Sequence, residues 1–121
     1  VATQRREAEL VILTVAHARS CAYEEEHHRR LGRRAGLSEA EIEALLGGPP
    51  VETFSERERV LQETARLLVQ ARDLDDEQWV GLRAVTSERE AVELLLLAGH
   101  YDMLATTLNT LRVPPDRKRT G

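Results

Sequence analysis

Glu9-Leu10-Val11-Ile12-Leu13-Thr14-Val15-Ala16-His17-Ala18-Arg19-Ser20-Cys21-Ala22-Tyr23-Glu24-Glu25-Glu26-His27-His28-Arg29-Arg30 holds the chain's only cysteine and three of its four histidines, and sets a lone glutamate at the head of an apolar run. Between Glu7 and Arg19 most positions are apolar (Ala8, Leu10, Val11, Ile12, Leu13, Val15, Ala16, Ala18), so a helix here is greasy nearly all round and has to be buried. Ser20 is a good N-cap residue, and the glutamates at 24, 25 and 26 that follow suit the positive end of a helix. The stretch therefore predicts two short helices, broken near Ser20 and folded back antiparallel. At about 1.5 Å per residue, Glu9 stands about 16 Å before that turn and His28 about 12 Å after it, so the two face each other across the pair. A carboxylate in an apolar helix needs a partner, because alone it takes up a proton rather than hold charge in a low dielectric. His28 is the partner on offer, and an imidazole oriented by a carboxylate is the usual way to build a proton-transfer group that works near neutral pH.

Further along, helix starts are marked by capping boxes: Ser38-Glu39-Ala40-Glu41, Ser55-Glu56-Arg57-Glu58 and Ser87-Glu88-Arg89-Glu90, with Asp75-Asp76-Glu77-Gln78 in the same role. The second helix is expected to reach about Arg34. The third covers about 38–46, stapled by Leu37 and Ile42 and stopped by Gly47-Gly48-Pro49-Pro50. The fourth runs from 55 to about 72, with Val60, Leu61, Ala65, Leu68 and Val69 as its inward stripe and a charged, solvated outer face. A short fifth helix starts at Asp75, with Leu74 and Trp79 as a second staple, and a long sixth runs from Ser87 to about Leu111. Val1–Arg6 is expected to be a polar lead-in and residues 113–121 a flexible basic tail. No strand-like alternation is present, so the fold class is all-α: a compact bundle of about six helices in one domain, residues 1–121.

At 121 residues there is material for one domain with a modest core. A net charge of −4 speaks against nucleic acid as a partner. One cysteine excludes an internal disulfide and fits a reducing compartment, so a cytoplasmic location is expected. The longest apolar run, Leu94–Ala98, falls far short of the roughly 20 residues of a membrane span, and no signal peptide is legible. The chain opens on Val1 rather than methionine, which leaves room for a segment ahead of it.

Cys21, Glu24 and His28 share a helix face in the spacing Cys-x-x-Glu-x-x-x-His. With Glu9 a dozen residues ahead, this resembles the carboxymuconolactone decarboxylase and alkyl hydroperoxidase D superfamily, whose redox members carry a glutamate and then Cys-x-x-Cys-x-x-x-His. The resemblance extends through Gly36-Leu37-Ser38-Glu39, Phe54-Ser55-Glu56-Arg57-Glu58-Arg59 and the ending from Tyr101 to Pro114. It implies an alkyl hydroperoxidase D-like, oligomeric fold, a small-molecule substrate, and trimers or hexamers with sites near subunit contacts. Glu24 stands where the second cysteine would be, and one thiol cannot close a disulfide cycle. What remains resembles the decarboxylase branch, which implies no metal or organic cofactor. A helix N-terminus and His28 pull the Cys21 thiol pKa down while Glu24, Glu25 and Glu26 push it up, and a neutral thiol is expected.

The candidate catalytic residues are Glu9, Cys21, Glu24 and His28, with Tyr23, His100 and Tyr101 as candidates for substrate binding. His27, turned about 100° from His28, is expected at the surface or an interface. A helix continuous through Ser20 would instead align His17, Cys21, Glu24 and His28 as zinc-type ligands. The break removes His17, and recognisable zinc signatures use other spacings, so no metal is expected. The expected activity is an acid–base reaction on a small carboxylated lactone or keto-acid-like compound, by decarboxylation, isomerisation or cyclisation. The alternatives are a redox protein acting through Cys21 alone and a non-catalytic oligomeric binding protein. Two helices apolar nearly all round offer more surface than so small a monomer covers, which predicts a homo-oligomer.

Overall fold

Every residue from Leu10 to Ala16 is buried, and the other helices are arranged to achieve it. A computed structural model describes residues 2–116 and places six helices in order: α1 (Ala2–Ala18), α2 (Ala22–Arg34), α3 (Glu39–Leu45), α4 (Glu56–Ala71), α5 (Asp76–Arg83) and α6 (Glu88–Thr110). Among the described residues there is no strand, and no helix is long and apolar enough to cross a membrane. The centre belongs to α1, which touches α2, α3, α4 and α6, while α5 packs on α4 and α6. Leu10, Leu13 and Val15 meet Ile42 and Leu45 of α3, Leu61, Ala65 and Val69 of α4, and Leu94 and Ala98 of α6 in one core. The single hydroxyl in this run, on Thr14, donates to the Leu10 carbonyl at 2.8 Å and so enters the core satisfied. Residues 113–116 have no regular structure; the rest of the expected tail, 117–121, lies outside the described residues.

The break at residue 20 is present, but Ser20 is not the N-cap of α2. It adopts φ 51°, with the Cys21 N–H bonded to the Ala16 carbonyl at 2.8 Å and the Ser20 N–H to that of His17 at 3.0 Å. Those paired bonds are the Schellman end of α1, in which the residue after the helix turns left-handed. Cys21 takes the N-cap position of α2, and its side chain makes no capping hydrogen bond. The expected capping boxes at Ser38, Ser55, Asp75 and Ser87 all form with both reciprocal hydrogen bonds. Gly47 ends α3 left-handed at φ 88°. On α2, Gly32 lies so close to α1 that an added Cβ would stand 3.3 Å from Leu13 Cδ1 and 3.2 Å from Leu37 Cδ1.

The polar lead-in is not separate from α1: residues 2–6 form its opening turns, and Arg6 has partners on other helices. Arg6 donates to Glu41 at 2.8 Å and to Glu58 at 2.6 Å, and also to the Gly36 carbonyl. Both glutamates are the reciprocal acids of capping boxes, so one guanidinium binds the starts of α3 and α4 to α1. Arg57 works the same way, joining Glu7 of α1 to Glu90, the capping acid of α6. Glu58 is therefore buried rather than part of a solvated face. Burial alone would raise its pKa, but Arg6 and the Ser55 N–H hold it below the ordinary value. Arg6 brings Glu41 down to about 2 from 4.5 against the opposing effect of burial, helped by the Ser38 N–H and Thr53. Arg6→Ala leaves two buried carboxylates without their cation and is expected to cost about 3 kcal/mol, read as a lower urea midpoint. Because the folded pKa of Glu41 is depressed, its contribution is complete above its ordinary 4.5 and lost as the pH falls toward 2, so the gap between variant and parent should shrink across that window.

Candidate active site

The seam between α1 and α2 carries the buried polar groups. Glu9 projects from α1 and places Oε2 2.6 Å from His28 Nδ1. A carboxylate only accepts, so Nδ1 carries the proton of that bond. On the other side of the same ring, Glu24 Oε2 lies 2.9 Å from His28 Nε2. The contact is close but poorly aligned, and this Glu24 oxygen is out of reach of water with no hydrogen-bond partner. The three side chains are 15%, 5% and 4% exposed for Glu9, His28 and Glu24, so solvent screens their charges little. The imidazole thus stands between two carboxylates, hydrogen-bonded to Glu9 and in contact with Glu24.

His28 and Glu24 line a cavity of about 400 Å³ together with Tyr23, His27 and Leu31 of α2 and Tyr101, Leu104 and Leu108 of α6. The Tyr101 ring stands edge-on to His28 with centroids 5.4 Å apart. Burial, and then the charges of Glu24 and Glu9, raise its pKa, so the phenol remains a proton donor at neutral pH. The ion pair of Arg19 with Asp102, and hydrogen bonds from Arg19 to the Val69 carbonyl and from Asn109 to the Arg19 carbonyl, hold α6 in place beside the end of α1. A cavity of about 420 Å³ between α1, α4 and α6 includes the charged groups Glu7, Arg57 and Glu90, but these are already paired with one another.

Several candidates stand elsewhere than expected. Cys21 is fully buried at the start of α2 and does not line the cavity. Burial raises its thiol pKa, with Glu24 and Glu25 adding to the effect and the Glu24 and Tyr23 N–H groups opposing it. His100 is exposed and outside the lining, one position round the helix from Tyr101, although the two rings touch edge to face. His27, expected at the surface or an interface, lines the cavity with a buried Nδ1. Glu9 stands behind His28, outside the cavity lining, where an orienting carboxylate is expected. His17 is exposed at the end of α1, 3.9 Å from Glu25, so the turn does separate it from Cys21, Glu24 and His28. Among the described residues no group of three or more His, Cys, Asp or Glu side chains is disposed to hold a metal ion.

A family model described as the carboxymuconolactone decarboxylase family matches residues 3–67, a span that contains Glu9, Cys21, Glu24 and His28. A solved structure from Agrobacterium tumefaciens, of a protein of unknown function provisionally described as the antioxidant defence protein AhpD, superposes with a TM-score of 0.82 at 22% identity. The match covers 93% of this chain and 79% of that one, and at this identity it shows the fold. No curated protein is significantly similar to the chain.

Cys21 yields a prediction of its own. With no exposed surface and a raised thiol pKa, it should resist iodoacetamide at pH 7 in the native protein and react promptly once unfolded in guanidinium, as followed by intact-mass spectrometry. Equal rates in the two states would contradict the burial.

Proposed function

The chain belongs to the carboxymuconolactone decarboxylase family, and on that premise we propose that it is an acid–base enzyme acting on a small carboxylated lactone or keto-acid-like compound, using its own side chains. The observation that carries this reading is an imidazole set between two carboxylates in the wall of a cavity. In the reaction, the bond between the substrate carbon and its carboxylate breaks and CO₂ leaves. The electron pair it leaves behind is delocalised into the neighbouring carbonyl as an enolate. The Tyr101 phenol is the donor that polarises that oxygen. His28 then delivers a proton to carbon, Glu9 holding the ring in orientation, and Glu24 reloads the ring with a proton taken up through Oε1, the carboxylate oxygen that is not sealed from water. Isomerisation or cyclisation of a similar compound would use the same groups. The thiol-redox alternative is weakened by the burial and raised pKa of Cys21.

The reading includes self-association. Val92, Leu96 and Met103 of α6 are 44%, 68% and 60% exposed, and a second copy of the chain is the partner assigned to that face. Sedimentation should give a trimer or hexamer, and Leu96→Glu should shift it toward monomer.

CO₂ release from a panel of carboxylated γ-lactones and β-keto acids tests the chemistry. His28→Gln and Glu24→Gln are expected to lower kcat by about 100-fold or more, the scale of a lost proton-transfer group. A His28→Gln enzyme as fast as its parent would end the acid–base reading.

A further inference from the structure

His27 is the polar group in the cavity that the acid–base triplet leaves unused. Its Nδ1 is buried without a hydrogen-bond partner, and among the described residues neither ring nitrogen makes a hydrogen bond. A proton on Nδ1 would be a buried donor with no acceptor, whereas Nε2 is not sealed from water, so Nε2–H is the favoured tautomer. The ring is held from two sides: Tyr23 stacks on it at 6.1 Å, and His28 meets it edge to face at 5.0 Å. His27 is therefore a held donor with no acceptor among the described residues.

The rest of the lining sets the kind of acceptor. Among the described residues no lysine or arginine lines the cavity, and Leu31, Leu104 and Leu108 give it an apolar side. His28 is assigned to the proton that goes to carbon, and Tyr101 to the carbonyl that becomes the enolate. A substrate carboxylate placed beside Glu24 would meet like charge in a poorly screened site. We propose that His27 is the positioning residue of this cavity, donating Nε2–H to the carboxylate of the substrate and keeping it clear of Glu24. This rests on the substrate being carboxylated, as in the reading above. It adds a residue that fixes which end of the molecule enters first, so that the α-carbon is presented to His28.

The test compares 5-oxotetrahydrofuran-2-carboxylate with its uncharged methyl ester, both titrated calorimetrically into the full chain. The parent protein should bind the acid more tightly than the ester. His27→Phe, which keeps a flat ring against Tyr23, should weaken the acid about tenfold or more, the scale of a lost hydrogen bond to a charged group, and change the ester less than about threefold. His27→Gln should keep part of the preference for the acid, because an amide N–H reaches the same region; a purely structural role would weaken both probes alike. A parent protein with no preference for the acid, or a His27→Phe variant that retains it, overturns the proposal. The companion reading fails separately. If His27→Phe loses the acid preference while His28→Gln still releases CO₂ at the parent rate, docking by His27 stands and acid–base chemistry at His28 falls.

Discussion

The hydrogen bond between Glu9 and His28 spans the seam between a helix buried along its whole middle and the helix that follows it. A carboxylate at that depth is tolerated only if something answers it, and the imidazole answers it at 2.6 Å. Satisfying Glu9 turns the other face of His28 toward Glu24 and the cavity, so the contact that solves a burial problem also aims the ring that the proposed reaction uses.

Elsewhere the architecture reuses groups in a similar way. The glutamates that close the capping boxes of α3, α4 and α6 would serve any isolated helix, but Arg6 and Arg57 also recruit them as anchors for α1. A local signal for starting a helix thereby becomes a tertiary fastening, with the helix start held by its cap and by the core at once. Long-range charge pairs hold both ends of α1, through Arg6 and Arg57 at its start and Arg19 with Asp102 at its end, and the apolar contacts take over along its middle.

What the sequence made legible follows from this division. The capping boxes, the Leu37–Ile42 staple and the glycine end of α3 depend on neighbours a few residues away, and they were readable one by one. The early start of α1 was not, because it is set by Arg6 meeting acids 35 and 52 positions on. Ser20 misled because serine is a good N-cap, while the deciding bond, from the Cys21 N–H back to the Ala16 carbonyl, belongs to the preceding helix. At the site, the pairing of Glu9 with His28 came from spacing alone. The places of His27 and His100 did not, since a single helix face cannot say how wide a cavity is or where α6 crosses it. Cys21 matched a motif position, but the motif carries no measure of depth.

Gly32 sits one turn beyond His28 on the same helix, against Leu13. With Leu13 and Leu37 already so near, the missing methyl acts as a feeler gauge that sets the clearance between two rods. An added methyl on the helix that bears the imidazole would have to push the ends of Leu13 and Leu37 aside, and a 2.6 Å polar contact tolerates far less displacement than an oily interface does. The spacing of the imidazole is thus governed from the dry side of the molecule, by bulk alone, with every ionisable group left in place.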